Sequence, residues 1–369
     1  MRTELPQLTK LYSPYFGCDP ELFIAQGQRI IGAEKAIPET GLPAIVLDGV
    51  QVELNPQPEP CRANLINNIS AAMKTLSRHL ESKDKTLSIS FRQVIEVDKQ
   101  ELDSLGEKAK ILGCAPSRNA YDMSASIRVN PAAYMKRSAG GHIHLGLNYH
   151  SGSPTYSPSW KEPPLQAALK EHKERLIPLL DVLLGNTCVL LDRDPSNVER
   201  RQVYGRAGEY RLPAHGLEYR TLSNFWLRSS RWTSFVLGMA RMAVNVLANE
   251  LTTEKAYQWP AVTTLLELID MEHIRTAINT NNFDLAWKNF EAIKPFFSRH
   301  VKVGSWSLTG HRLPVFEFYL DNNKMPVVQP ELTDPITHWN NIPEGHAINV
   351  GWEDLLDRIV YPMMHTATR

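Results

Sequence analysis

Gly140-Gly141-His142-Ile143-His144-Leu145-Gly146-Leu147 is the stretch whose reading decides the fold. In an extended chain successive side chains point to opposite faces, so His142 and His144 share one face while Ile143, Leu145 and Leu147 share the other. The pattern predicts a strand with an apolar back laid on a core and two imidazoles aimed into a cleft. Gly140, Gly141 and Gly146 leave room beside the rings for a bulky ligand to approach the backbone. Imidazole is a common metal ligand and a common acid–base group. On this stretch alone, two polar strand residues facing water explain the pattern equally well.

Other segments repeat the pattern. Tyr15-Phe16-Gly17-Cys18-Asp19-Pro20-Glu21-Leu22-Phe23-Ile24 reads as a strand interrupted at Pro20, with Asp19 and Glu21 on one face and Leu22 and Ile24 on the other. Acids inside such an apolar strand are expensive unless a cation compensates them. Asp48-Gly49 reads as a turn and Val50–Leu54 as a strand whose polar face carries Glu53. Gly216-Leu217-Glu218-Tyr219-Arg220-Thr221-Leu222 places Glu218 and Arg220 on one face, and Leu217, Tyr219 and Thr221 on the other.

Apolar spacing predicts helices from Cys61 to about Ser82, from about Pro164 to Leu184, over Arg228–Leu251, over Pro260–Ile278 and over Phe283–Arg299. Thr86–Val97 alternates like one strand, Ala125–Val129 like another, and residues 113–117 read as a loop. Residues 151–164 are crowded with Ser and Pro and read as a surface loop suited to cover a site. The densest polar run, Asp192 to Arg211, holds arginines separated by glycines; the rigid fork of arginine suits phosphate and carboxylate. His311, His338 and His346 are isolated and read as structural.

The chain of 369 residues has 40 Lys+Arg against 40 Asp+Glu, so a general electrostatic grip on nucleic acid or an anionic membrane is not expected. The four cysteines form no C-x-x-C pair, and there is no apolar leader or membrane-length run. These features lead us to expect a soluble cytoplasmic protein with reduced thiols. Oligomeric state is left open.

Four strands thus offer polar chemistry on one face: Asp19 and Glu21, Glu53, His142 and His144, Glu218 and Arg220. Carboxylates dominate and thiolates are absent, which favours hard cations such as Mg2+ or Mn2+ over structural zinc. Arginines added for oxyanions suit a metal-bound polyphosphate.

At these residues the sequence resembles the carboxylate–amine ligases of the glutamine synthetase superfamily, most closely the phage-type COOH–NH2 ligases (amidoligases). The resemblance rests on Gly17-x-Asp19-Pro20-Glu21, Asp48-Gly49…Glu53-x-Asn55-Pro56, Gly140-Gly141-His142-x-His144-x-Gly146, Tyr204-Gly205-Arg206-Ala207-Gly208 with Arg211, and Glu218-Tyr219-Arg220-Thr221-Leu222. It implies an α+β, glutamine synthetase-like catalytic domain over about residues 13–250, with a curved, mainly antiparallel sheet flanked by helices. A mainly helical C-terminal part over 251–369 would pack on that core. It further implies ATP-dependent amide or peptide bond formation between small-molecule or peptide acids and amines, in a host cytoplasm if the gene is phage-borne. Asp19, Glu21, Glu53, His142 and Glu218 become candidate ligands of two or three divalent metals holding ATP; His144 is a ligand or a hydrogen-bonding partner. Arg206, Arg211 and Arg220 would neutralise the transferring phosphoryl group, and Glu53 is the candidate proton acceptor. The rival readings are a metal-dependent hydrolase using the H-x-H strand, a cupin-like barrel, and a non-catalytic nucleotide-binding relative.

Overall fold

A computed structural model describes residues 15–37, 41–59, 62–105, 117–122, 135–146, 173–192, 194–228, 230–252 and 266–302. The strands in chain order are β1 Tyr15–Cys18, β2 Glu21–Gln26, β3 Arg29–Ile31, β4 Ile45–Asp48, β5 Gln51–Leu54, β6 Leu87–Ser90, β7 Val94–Glu96, β8 Arg118–Asn119, β9 Lys136–Ser138, β10 Ile143–Gly146, β11 Glu209–Arg211 and β12 Gly216–Tyr219. The pairings are antiparallel, and with the helices around them they make the fold α+β, as expected.

Two sheets position the chemistry-bearing residues. The first runs β1-β10-β12-β11-β8; the second runs β3-β2-β5-β4, with β6 also paired to β2. The chain leaves the first sheet and enters the second at Asp19-Pro20, because proline has no N–H to give a ladder. The single interrupted strand expected over 15–24 is therefore two strands in two sheets. The seam is stitched by Glu21 N donating to Gly140 O (2.9 Å) and Leu54 N donating to Pro20 O (3.0 Å).

The apolar alternation read from the sequence forms the core. Ile143, Leu145, Leu217 and Tyr219 are fully buried behind the first sheet, and burying such side chains is worth about 1.5–3 kcal/mol each. Leu22, Ile24, Val52 and Leu54 join the same core from the second sheet, whereas Phe23, Ala25 and Val50 enter a smaller cluster on its other side. The helix Arg62–Lys83 lies on this core through Leu65, Ile69, Met73, Leu76 and Leu80. The helix Ser230–Thr252 packs on it and on Lys173–Leu180. Helices Met271–Asn279 and Phe283–Lys302 pack on Asn186–Leu191.

Several expected boundaries are corrected. Residues 86–97 form two strands in two different sheets, broken where the buried Gln93 turns inward to donate to Asp192 Oδ1 (2.6 Å). The helix expected to stop at Leu184 passes through a π-helical segment, Asp181–Gly185, into Asn186–Leu191. The polar run after Asp192 contains a helix, Ser196–Val203, whose buried face is Asn197, Arg200 and Arg201. Its spacing is helical, but the face turned inward is polar, so apolar periodicity does not reveal it. The single helix expected over Pro260–Ile278 is interrupted: residues 266–267 are helical, 268–270 are not, and a new helix starts at Met271, where the Asp270 side chain caps Glu272 N and His273 N. The strand read at 125–129, the cover at 151–164, most of the 113–117 loop and the three isolated histidines lie outside the described residues. Cys18 and Cys188 are free and buried. Among the described residues no helix is long and apolar enough to cross a membrane.

Candidate active site

Register builds the site. Gly17 pairs with His144, His144 with Glu218, and Glu218 with Arg211, so His144, Glu218 and Arg211 stand in one row across three adjacent strands. Residues in such a row project to the same face. Asp19, two residues beyond Gly17, closes the row from the seam. His142 Nδ1 lies 3.0 Å and His144 Nε2 3.1 Å from the same oxygen, Asp19 Oδ1. His142 Nδ1 is also 3.5 Å from Glu218 Oε1.

Arg211 grips Glu218 with both arms of its fork, Nε to Oε2 and Nη2 to Oε1, each 2.6 Å. Arg220 Nε adds a third contact at 3.1 Å. This bidentate geometry is the strong form of a guanidinium–carboxylate pair. Burial would raise the Glu218 carboxyl, but His142 and Arg211 outweigh it and hold the group below its usual value. Burial likewise raises Asp19, and His144 and His142 reverse the effect and drive it far down. His144 feels burial in the downward direction, yet the Asp19 carboxylate wins and its imidazole is raised.

The second sheet contributes carboxylates. Glu21 and Glu53 stand directly opposite each other on β2 and β5. Glu21 Oε2 accepts from Gly140 N and from the Tyr204 hydroxyl, both at 2.6 Å. Burial first, then the charges of Asp19 and Glu21, push Glu53 up to about 8, with Asp48 adding to the rise and His144 opposing it. A carboxylate among carboxylates takes up protons unless a cation joins it.

Tyr204 links the two halves. The Cζ atoms of Arg200 and Arg220 lie over its ring, 5.3 and 5.1 Å from the centroid. Contacts at this distance to the ring face are attractive. Gly140 sits beside it: a Cβ there would collide with the ring of His142, which explains a glycine at the head of the histidine strand.

Asp19, Glu21, Glu53, His142, His144, Arg211, Glu218 and Arg220 are thus brought together around the seam. Arg206 is not drawn in by its contacts. Its Nε donates to the Arg201 carbonyl (2.8 Å), and its own carbonyl accepts from the Thr221 hydroxyl, contacts that brace the turn.

Sequence reasoning missed three groups. His215 stacks on His144 with ring centroids 5.0 Å apart and Nε2 2.8 Å from His144 Nδ1; the turn Pro213–Gly216 joining two chemistry-bearing strands was the signal that pointed to it. Asp181, behind the sheet, accepts from Tyr121 (2.8 Å) and Tyr219 (2.6 Å) hydroxyls, and burial lifts it to about 7. Arg200 is completely buried and donates to the Thr221 carbonyl.

The donor set fits a divalent cation. One ligand atom each from Asp19, His144 and Glu218 lies within 4.8 Å of the others. His144 Nε2 is a buried atom with no hydrogen-bond partner. A mixed carboxylate and imidazole set suits Mg2+ only in part and Mn2+ well.

Residues 169–297 match the family model described as phage phiEco32-like COOH.NH2 ligase-type 2. The match bears out the family resemblance read from the sequence. It spans Arg206, Arg211, Glu218 and Arg220 but not the segments carrying Asp19, Glu53 and the two strand histidines. No curated protein matches the chain. Among solved structures the chain is similar to a bifunctional glutathione synthetase from Pasteurella multocida, with 13% identity, a TM-score of 0.37, and coverage of 85% of this chain and 53% of that one. The chain therefore spans about half the length of that structure.

Proposed function

We propose, from the premise that this chain is a relative of the phage-type carboxylate–amine ligases, that it joins a carboxylate to an amine at the expense of ATP through an acyl phosphate. The observation that carries the reading is the convergence of Asp19, His144 and Glu218 with Arg211 and Arg220 at the seam of the two sheets. An acid is a poor electrophile because attack adds charge to an anion. Phosphorylation turns its oxygen into a leaving group, and that step needs positioning and charge neutralisation more than covalent help.

Asp19, His144 and Glu218 would hold one divalent cation, and Glu21 with Glu53 a second. Bound there, the cations supply charge neutralisation for the ATP phosphates. Arg211 and Arg220 are anchored on Glu218, which keeps two guanidinium groups ready beside that anion. Either can turn an N–H toward a phosphoryl oxygen while the other keeps Glu218 paired. The amine must be neutral to attack; a carboxylate at the site accepts its proton, and Glu53 is the group we assign. Mg2+ and Mn2+ are the cations we expect.

The test is a screen of acid–amine pairs with Mg2+-ATP, reading phosphate release and product mass. ADP formed only when both an acid and an amine are present is the expected result. Nucleotide-independent hydrolysis of an amide, or tight nucleotide binding with no turnover for any pair, contradicts it.

A further inference from the structure

The strand holds two histidines, and spacing alone leaves open which of them meets the cation. The surroundings separate them. His142 is 1% exposed. Its Nδ1 is engaged with Asp19, and its Nε2, like that of His144 without a hydrogen-bond partner, is turned to the backbone at Gly140. His144 has one nitrogen, Nε2, buried beside Asp19 without a hydrogen-bond partner, and the other, Nδ1, 2.8 Å from His215 Nε2. His144 Nε2 lies 3.1 Å from Asp19 Oδ1. A cation shared by Nε2 and that carboxylate oxygen would take the Nε2 lone pair, which requires the ring proton on Nδ1.

We infer that His215 is a positioning residue that accepts the Nδ1–H of His144 and thereby presents His144 Nε2, rather than His142, to the divalent cation. This rests on the reading of the site as a cation site. Metal-ligating histidines commonly donate their second ring N–H to a carboxylate, a backbone carbonyl or water, which fixes tautomer and ring orientation; here the His215 ring nitrogen takes that place. The backbone holds the two rings close. β10 and β12 pair at Gly146 and Gly216, and a Cβ on Gly146 would come within 2.7 Å of the His215 carbonyl. A larger residue at 146 would push the β11–β12 turn, and His215 with it, off His144. His142 is left with a different role, holding Asp19 Oδ1 in place from the buried side.

The experiment compares wild type, His215→Phe and His215→Gln. Phenylalanine keeps the stacking but accepts no hydrogen bond; glutamine offers a carbonyl oxygen in place of the ring nitrogen. Two readouts are used, neither depending on turnover. Long-range proton–nitrogen NMR of the metal-free protein at alkaline pH reports the His144 tautomer, assigned through the loss of its signals in His144→Gln. Mn2+ binding is followed by electron paramagnetic resonance. We expect the Nδ1–H tautomer in wild type and in His215→Gln, and its loss in His215→Phe. Mn2+ affinity should fall roughly ten- to hundredfold in His215→Phe and stay within about threefold in His215→Gln. An Nε2–H tautomer in wild type, unchanged Mn2+ affinity in His215→Phe, or equal weakening in both variants overturns the inference, the last in favour of direct ligation by His215. Wild type that binds no Mn2+ overturns the cation site itself, and with it this inference.

Discussion

On the β10–β12 side of the site, acids are matched by bases: Glu218 sits in the fork of Arg211 with Arg220 against it, and Asp19 lies between two imidazoles. Across the seam, on β2 and β5, Glu21 and Glu53 oppose each other and Glu53 is raised to about 8. The same residue type is pulled down on one sheet and pushed up on the other. What differs is the company each strand's register supplies. The compensated side holds its charges in balance before any cation binds, and it carries Asp19, His144 and Glu218, the set we assign to the first cation. The uncompensated side takes up protons unless a cation joins it, and it is where the second proposed cation would sit.

Paired substitutions break this comparison most sharply. Glu53→Gln and Arg220→Ala should each lower ATP-dependent turnover by at least about a hundredfold. Near-UV circular dichroism should show the fold kept, and normal ATP consumption in either variant would contradict the assignment. Stability should then divide the two sides. Glu218→Gln leaves two guanidinium groups without their anion and should cost about 3 kcal/mol in urea unfolding. Glu53→Gln in metal-free protein should cost nothing or stabilise, because it removes a charge from among like charges.

The back of the sheet gives a smaller, pH-dependent effect. An unfolded aspartate titrates near 4, whereas folded Asp181 titrates at about 7. Below that window both states hold the proton. Within it the native state keeps a proton that the unfolded chain has lost, so stability falls as pH rises from about 4 to 7, and the loss is complete above. Asp181→Asn should flatten that slope and raise the pH 8 melting temperature by a few degrees, on the order of 1 kcal/mol. Thermal melts across pH 4 to 8 read it. Arg206→Ala should have the smallest effect, under about threefold in steady-state turnover, because its guanidinium braces the Arg201 carbonyl. A hundredfold loss there would restore Arg206 to the phosphate site.

The parts of the site legible in the sequence are those that alternation controls. His142 with His144, and Glu218 with Arg220, fall on one face because a period of two is local and survives any tertiary arrangement. Glu21 and Glu53 were legible as polar-face residues for the same reason, but their facing each other depends on register between strands. The sheet change at Pro20 was visible as a break and not as a change of partner. Asn197, Arg200 and Arg201 could not be found by apolar spacing, since the helix buries a polar face that hydrogen-bonds to Asp192, Thr221 and Asn281. His215 lies in a turn, where alternation says nothing about direction, and its contact with His144 is set by Gly146.

The most direct test is diffraction from crystals grown with Mn2+ and a non-hydrolysable ATP analogue, using the anomalous signal of manganese. We expect a manganese peak coordinated by Asp19, His144 and Glu218 and a second beside Glu21 and Glu53, with the terminal phosphate against Arg211 or Arg220. Nucleotide bound elsewhere on the protein, or no manganese at the junction of the two sheets, would contradict the account.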